Sequence, residues 1–245
     1  MAVLGGDPAM EGMTAIVTGA GRGIGRAIAE EFASRGARVV VSSRSLPQLE
    51  AVCRGIEASG GEAIPVVCDV TNTADVRHLF ETATVAFEGL DILVNNAGVG
   101  QFLSLAETTE EIWDTTLDTN LKGAFLCSRE ALPHFEQNGS GFIINIASVA
   151  GARGFSNFAA YSASKAGLIG LSRALREELR PKKIRVSAVL PGATDSPFWD
   201  TVSGNWDRAK MIASADVAKV VADVASQPAS VLTEEVVIMP AGGAL

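Results

Sequence analysis

Short runs of β-branched and apolar residues alternate with longer amphipathic stretches along almost the whole chain. Parallel strands need long crossovers, which are usually helices, so this alternation predicts an α/β fold with a doubly wound, seven-stranded parallel sheet. We expect one domain with helices on both faces of the sheet. The predicted strands are Thr14–Thr18, Arg38–Ser42, Ala63–Cys68, Ile92–Asn95, Phe142–Ala147, Arg185–Leu190 and Val236–Met239.

The first amphipathic stretch shows the helical period most clearly. Ile24, Ala27, Ile28 and Phe32 fall on one face, and charged residues occupy other positions. Gly36 then predicts the end of this helix.

Glycine and polar residues follow six of the predicted strands. Ligands of doubly wound sheets bind beyond the carboxyl ends of the strands, so these residues should converge on one site. They are the turn 19–25, Ser43 and Arg44, Asp69 and Val70, the segment 95–98, Ser148, and Pro191 with Gly192.

Composition narrows the possible partners. The chain has 245 residues, 47% of them hydrophobic, and a net charge of −8. This acidic balance disfavours binding to nucleic acid or to an anionic membrane, and no apolar run is long enough to span a bilayer. We therefore expect neither nucleic acid nor a membrane as a partner.

Residues 1–12 lack the charged and apolar regions of a secretory signal, so we expect a flexible tail before a single domain over 13–245, in the cytoplasm. Cys53, Cys68 and Cys127 are odd in number and widely spaced, which indicates reduced thiols. His78 and His134 form no cluster with cysteines, so no catalytic metal is expected.

Two motifs carry candidate chemistry. Tyr161 and Lys165 are four residues apart in a predicted helix, which places an ammonium near a phenol and favours the phenolate. Tyr161 is therefore a candidate general acid and base. Gly19, Gly23 and Gly25 form a turn between a strand and a helix, where bare N–H groups and the helix N-terminus suit a pyrophosphate.

Together with the segment Asn95-Asn96-Ala97-Gly98, these motifs resemble the short-chain dehydrogenase/reductase (SDR) family, and in particular 3-oxoacyl-thioester reductases and carbonyl reductases. The resemblance runs from about Met13 to the C-terminus and is loosest between Ser196 and Ser214. It implies a Rossmann-type fold and hydride transfer between a nicotinamide cofactor and a carbonyl or secondary alcohol.

The resemblance also assigns a catalytic tetrad of Asn120, Ser148, Tyr161 and Lys165. Tyr161 would exchange a proton with the substrate oxygen, which Ser148 would hold by a hydrogen bond. Lys165 and the oxidised nicotinamide would lower the pKa of Tyr161, and Lys165 would bind the ribose hydroxyls. Asn120 would keep a water molecule that links Lys165 to solvent.

Cofactor contacts follow from the same resemblance. Asp69 would accept a hydrogen bond from the adenine amine, and the turn 191–196 would contact the carboxamide, with Ser196 where the family more often has Thr. The implied contacts are Gly19, Gly21, Arg22, Gly23, Ile24, Gly25, Ser43, Arg44, Asp69, Val70, Asn95, Ala97, Gly98, Tyr161, Lys165, Pro191, Gly192, Thr194 and Ser196.

The residues after the second strand favour NADP(H) over NAD(H). An NAD-specific site places a carboxylate there to bind the ribose 2′-hydroxyl, whereas this chain has Ser43 and Arg44, which suit a 2′-phosphate. Arg22 offers a second cation.

The substrate stays open between several classes. Phe198, Trp199 and Trp206 lie in a predicted substrate loop over 193–213, where they form either an apolar lid or ordinary packing on the rim. A 3-oxoacyl thioester or a general ketone is favoured. Carrier-protein reductases tend to have a basic residue just before the fifth strand, and segment 137–141 has none. The alternatives are an NAD(H)-dependent sugar, polyol or steroid alcohol dehydrogenase and a non-catalytic dinucleotide-sensing module.

Two expectations concern macromolecular partners. One basic cluster either ends a helix or receives an acidic carrier protein, and it consists of Arg176, Arg180, Lys182, Lys183 and Arg185. The family resemblance further implies a homotetramer or homodimer that assembles through the helices containing Asn120 and Tyr161.

Overall fold

The computed structural model describes residues 10–202, 204 and 206–243. Its strands are β1 (Thr14–Thr18), β2 (Arg38–Ser43), β3 (Glu62–Val67), β4 (Ile92–Asn95), β5 (Gly141–Ile146), β6 (Ile184–Pro191), β7 (Thr194–Asp195), β8 (Ile212–Ala213) and β9 (Glu235–Ile238). Its α-helices are α1 (Gly23–Ser34), α2 (Leu46–Ala58), α3 (Thr73–Phe87), α4 (Glu110–Leu117), α5 (Gly123–Asn138), α6 (Ala159–Leu179) and α7 (Ser214–Ala225).

The main sheet has seven parallel strands in the order β3-β2-β1-β4-β5-β6-β9. This confirms the predicted doubly wound α/β fold, and the strand ends differ from the predicted ones by at most one residue. The order reverses between β1 and β4, so the crevice for a ligand lies above the carboxyl ends of these two strands.

Both faces of the sheet are buried, which explains the continuous apolar runs. In β1, Ala15 and Val17 pack into the core formed with α1, α2 and α7. Ile16 points to the other face, where it joins the core formed with α3 and α5. The helices therefore cover both sides, as predicted.

The predicted substrate loop is closed at its base by a small second sheet. β7 pairs with β8 in parallel, Thr194 opposite Ile212 and Asp195 opposite Ala213. Pro197–Thr201 forms a short 3₁₀ helix between them. Two-residue strands are too short to show an alternating pattern, so the sequence did not predict this pairing.

The folded part of the chain begins before the predicted boundary at residue 12. Residues 1–9 lie outside the described residues. Met10 is fully buried in the core beside α1, and its N–H donates to the carbonyl of Arg35 over 3.2 Å. Gly12 similarly donates to Gly36 over 3.3 Å. The prediction of a flexible tail is therefore wrong for residues 10–12, because these contacts hold them against α1.

Candidate active site

A cavity of about 690 Å³ opens at the carboxyl ends of the strands, where the sequence places the site. The predicted site residues that line it are Gly19, Gly21, Arg22, Gly23, Ile24, Ser43, Arg44, Asp69, Val70, Ala97, Gly98, Ser148, Tyr161, Lys165, Pro191, Gly192, Thr194 and Ser196. Gly25, Asn95 and Asn120 are predicted site residues that do not line the cavity.

The glycine turn leaves a bare backbone cradle at one part of the wall. Gly19 has a φ of +65°, and a Cβ there would lie 2.8 Å from the Cα of Ala97. A Cβ on Gly21 would lie 2.8 Å from Oε1 of Gln48. Side chains are thus excluded, and the N-terminus of α1 follows directly, so the cradle fits a dinucleotide pyrophosphate. Gly25 has a packing role, because its Cβ would collide with Asn96 and the carbonyl of Gly19.

The end of the cavity beyond β2 and β3 is basic at its rim. Arg22 and Arg44 are exposed there, and neither takes part in the ion pairs found among the described residues. Asp69 accepts hydrogen bonds from the N–H and hydroxyl of Thr71 over 2.9 and 2.8 Å. Partial burial opposes ionisation, but these bonds and the charge of Arg44 outweigh it, so the pKa of Asp69 lies below its usual value.

Ser148 and Tyr161 line the same part of the wall. Ser148 lies just after β5, where its hydroxyl accepts from the N–H of Ala150 over 3.1 Å. Burial raises the pKa of Tyr161 to about 12, although the nearby hydroxyl of Ser148 acts in the opposite direction. In the protein alone the phenol is therefore a proton donor.

In the protein without cofactor, the charge of Lys165 does not bring the pKa of Tyr161 below its ordinary value. Its ammonium is buried 5.7 Å from the centroid of the Tyr161 ring, and it donates to the carbonyl of Ile146 over 2.8 Å. Burial lowers the pKa of Lys165 to about 8. The expected effect of Lys165 on the phenol is smaller than the cost of burying a phenolate, so the net shift has the opposite sign.

Asn120 is buried in a π-helical turn between α4 and α5, with its side chain directed to two neighbouring segments. Its amide oxygen accepts from the N–H of Val99 over 2.8 Å, and its amide nitrogen donates to Val99 and to the hydroxyl of Ser164. Ser164 donates in turn to the carbonyl of Tyr161 over 2.7 Å. Asn120 therefore joins the loop after β4 to the helix that carries Tyr161, and its role in holding a water stays a prediction.

Asn95 differs from the prediction because its side chain lies inside the sheet. Its amide nitrogen donates to the hydroxyl of Ser128 over 3.0 Å and to the amide oxygen of Asn145 over 2.8 Å. The amide of Asn145 donates to Ser172 over 2.8 Å. These contacts bind β4, β5, α5 and α6 together beneath the cavity, and Asn95 is not among the residues that line it.

The side of the cavity next to Tyr161 is aromatic. Phe102 stacks on Phe158 with ring centroids 3.6 Å apart and lies 5.7 Å from Tyr161 and 5.9 Å from both Phe198 and Trp199. We call the cavity-lining set beside Tyr161 the aromatic wall, and it comprises Phe102, Phe155, Phe158, Phe198, Trp199 and Trp206.

Sequence reasoning identified only half of the aromatic wall. Phe198, Trp199 and Trp206 line the cavity, which favours the lid interpretation over packing on the rim. Phe102, Phe155 and Phe158 were missed. The signal was present, because Phe102 follows the Asn-Asn-Ala-Gly segment closely and Phe158 precedes Tyr161 by three residues.

Most of the basic cluster is engaged within the chain. Arg176 is buried and contacts Glu234, Arg180 pairs with Glu177 over 2.7 Å, and Lys182 pairs with Glu136 over 2.6 Å. Arg185 donates to backbone carbonyls and stacks over the ring of Phe142. These contacts support the interpretation of a charged helix end and leave Lys183 as the remaining member of the cluster.

The described part of the chain contains no arrangement of side chains that would support metal or thiol chemistry. No set of three or more potential metal ligands lies together there, and none of its helices has the length and apolar character needed to cross a bilayer. His78 is exposed, and His134 stacks on Phe80. All three cysteines are free and buried, and burial raises the pKa of Cys53 to about 11 and that of Cys68 to about 12.

Comparison with known proteins agrees with this geometry. Residues 13–205 match the family model described as short chain dehydrogenase. Sepiapterin reductase of Chlorobaculum tepidum is 38% identical over 236 residues, which cover 93% of this chain and 96% of that protein.

Two solved structures illustrate the likeness in fold. A metagenomic short-chain oxidoreductase in complex with NADP has 39% identity and a TM-score of 0.83, with 95% of this chain and 98% of that chain covered. The 3-ketoacyl-(acyl-carrier-protein) reductase of Brucella melitensis complexed with NADH has 33% identity and a TM-score of 0.87, with 94% and 97% covered. The chain belongs to the short-chain dehydrogenase/reductase family, whose members are oxidoreductases of carbonyl and alcohol groups.

Proposed function

We propose that this protein is an NADP(H)-dependent reductase of a ketone or a 3-oxoacyl thioester, acting reversibly on the carbonyl and the corresponding secondary alcohol. The observation that carries the proposal is one cavity that contains both a glycine cradle and, beside the aromatic wall, Ser148, Tyr161 and Lys165. The cradle fits the cofactor, and the three side chains fit the proton transfer.

Three polar side chains and the aromatic wall have separate roles in the proposed reaction. A bound nicotinamide supplies or accepts the hydride. Tyr161 donates its phenolic proton to the carbonyl oxygen, and Ser148 orients that oxygen by a hydrogen bond. Because its pKa is about 8, Lys165 is mostly charged at neutral pH, and it stabilises the phenolate that remains after the transfer. The aromatic wall excludes water from this end of the cavity.

The preference for NADP(H) rests on residues of this chain. The two solved relatives are complexed with NADP and with NADH, so membership in the family does not decide the cofactor. Arg22 and Arg44 are exposed at the basic rim and free of ion pairs within the described residues, and Ser43 lies beside them. Guanidinium groups bind a phosphate by charge-assisted hydrogen bonds, which supports a 2′-phosphate here.

The two alternative functions require different sets of side chains in the cavity from those of the proposed reductase. A sugar or polyol needs several polar partners near Tyr161, whereas the aromatic wall occupies that side. A steroid alcohol would tolerate the wall and remains the form of this alternative that fits the structure. A dinucleotide sensor needs the glycine cradle but not Ser148, Tyr161 and Lys165 in one cavity.

We further propose that the protein assembles as a homotetramer or homodimer. Phe125 on α5 is 42% exposed, and Trp113 on α4 is 37% exposed, which gives this side of the chain apolar surface. Leu168 and Ile169 of α6 are buried within the chain and take no part in that surface. Light scattering that shows a monomer would contradict this proposal.

A titration of the purified protein with NADPH and NADH, followed by a panel of ketones and an acetoacetyl thioester, tests the proposed reaction. We expect tighter binding of NADPH and its oxidation by at least one ketone or thioester. Tight binding without oxidation by any compound favours the sensor, and a preference for NADH means that Arg22 and Arg44 do not bind a phosphate.

A further inference from the structure

The aromatic wall is built from three separate segments of the chain. Phe102 follows β4, Phe155 and Phe158 precede α6, and Phe198, Trp199 and Trp206 lie between β7 and β8. Half-buried aromatic side chains from distant segments thus meet at one place beside the phenol of Tyr161. Ligand pockets are lined mainly by apolar and aromatic side chains, and here three segments contribute them to one side of the cavity. We therefore interpret this side as a surface that recognises the substrate.

The rings of the aromatic wall meet at many different angles. Phe102 stacks on Phe158 with planes 14° apart, whereas it meets Trp199 at 68° and Trp206 at 81°. Trp199 and Trp206 approach to 4.8 Å at 52°. The wall therefore offers both faces and edges, which are the surfaces that a further aromatic ring prefers.

The charged residues that line the cavity, which include Asp69 and Asp118 besides three cations, are not members of the aromatic wall. Among the described residues that line the cavity, the cations are Arg22, Arg44 and Lys165. The two arginines lie at the end where the cofactor's adenosine part is expected, and Lys165 is bonded to the carbonyl of Ile146. The six side chains of the aromatic wall are themselves uncharged, so a substrate group that lies against them meets no guanidinium or ammonium of the wall to bind a carboxylate or phosphate.

We infer that the substrate is an uncharged ketone that carries an aromatic ring, and that this ring packs on the aromatic wall through Phe102 while the carbonyl meets Tyr161 and Ser148. This inference rests on the proposed reductase function and adds the substrate class. Phe102 lies 5.7 Å from the ring of Tyr161 and contacts four other aromatic rings of the wall within 6.3 Å. Phe158 and Phe198 also lie within 6.3 Å of the Tyr161 ring, but Phe102 is the member that contacts both of them and both tryptophans, so we assign it as the specificity residue.

The test compares phenylacetone with cyclohexylacetone, which differ in the aromaticity of the ring while the ring does not conjugate with the carbonyl in either. With NADPH we expect kcat/KM for phenylacetone to be higher by roughly 2- to 10-fold, as aromatic contacts beyond buried area provide. A carboxylate in the para position should remove this advantage. Quenching of tryptophan fluorescence by each ketone, measured in a Trp113→Phe background so that only Trp199 and Trp206 emit, gives an independent measure of binding at the wall.

Variants of Phe102 and Phe125 test whether the preference for phenylacetone depends on the aromatic wall. Phe102→Leu should reduce the phenylacetone to cyclohexylacetone ratio to about 1, and this ratio is the readout because both ketones meet the same altered cavity. Phe125→Leu removes an aromatic ring outside the cavity and should leave the ratio as in the wild type. The comparison of the two ketones on the wild type needs no variant, so it decides the question even if Phe102→Leu does not fold.

The possible results distinguish a failure of the substrate inference from a failure of the reductase proposal. Equal kcat/KM for the two ring ketones, or a much better reaction with an acetoacetyl thioester, overturns the inference of an aromatic substrate and leaves the reductase proposal standing. No oxidation of NADPH by phenylacetone, 2-butanone and the thioester together overturns the reductase proposal itself.

Discussion

The guanidinium of Arg208 holds the substrate loop to its own base, because its Nε donates to Oδ1 of Asp195 over 2.6 Å. The same guanidinium donates to Asp200 over 2.7 Å and to the carbonyl of Ser196 over 2.9 Å. Single exposed ion pairs contribute little to stability, but three contacts from one planar group define the position of a loop.

Replacing Arg208 by Gln should loosen the loop that carries Phe198 and Trp199. We expect KM for ketones to rise about 3- to 10-fold, because the lining of the cavity is less well ordered before the substrate binds. Binding of NADPH and the free energy of unfolding should change little. Lys210→Gln, which breaks an exposed ion pair to Asp207, is the matched control. Equal KM values for the two variants would show that Arg208 has no such role.

Replacing Arg44 by Ala tests the proposed phosphate contact. Loss of a charge-assisted hydrogen bond should weaken NADPH binding roughly 10-fold, and binding of NADH should stay the same. Arg54→Ala is the control, since Arg54 is an exposed arginine on α2 outside the cavity. If Arg44→Ala weakened both cofactors equally, the residue would not distinguish the 2′-phosphate.

Tyr161 is the single tyrosine of the chain, so near-ultraviolet absorbance of phenolate reports its ionisation alone. Burial raises its pKa to about 12, and we expect no phenolate in the free protein at a pH near 10, where an exposed tyrosine is half ionised. Oxidised cofactor should lower the midpoint, because its positive charge favours phenolate. A midpoint below about 9 in the free protein would contradict the effect of burial described above.

Lys165 should make stability depend on pH in the alkaline range. Its pKa is about 8 in the fold and 10.5 when exposed, so the unfolded state binds more protons between these values and stability rises with pH across that window. Below pH 8 the buried charge costs on the order of 3 kcal/mol.

The variant Lys165→Met removes this cost. We expect urea unfolding at pH 7 to show a variant that is more stable than the wild type, by less than that cost because the bond to Ile146 is also lost. The difference should shrink between pH 8 and 9.5. A difference that stays constant over this range would mean that Lys165 does not titrate there.

The sequence predicted the main sheet almost completely and the substrate side only in part. Strands buried on both faces carry continuous apolar runs, so segments such as Thr14–Thr18 and Ile92–Asn95 were found with their observed ends. The glycine turn and the pair Tyr161 and Lys165 were found because their spacing is local. Phe102 and Phe158 are 56 positions apart in the chain, and only the tertiary fold stacks them.

Three further differences between the predictions and the structure also arise from tertiary contacts that the local sequence does not show. The side chain of Asn95 points into the sheet toward Ser128 and Asn145, which its place at the end of β4 did not reveal. Met10 is buried through contacts with the end of α1, which a composition argument on the first residues could not include. The raised pKa of Tyr161 depends on burial, whereas the sequence indicated only the nearby charge of Lys165.

The most direct test of the account is turnover and cofactor binding of Tyr161→Phe beside the wild type, with NADPH and a ketone that the wild type reduces. The variant keeps the ring and loses the hydroxyl, so we predict NADPH affinity within about threefold of the wild type and kcat lower by roughly 10²- to 10⁴-fold, the range for a general acid. Turnover within tenfold of the wild type would contradict the assignment of Tyr161 as the proton donor, and with it the proposed function of this cavity.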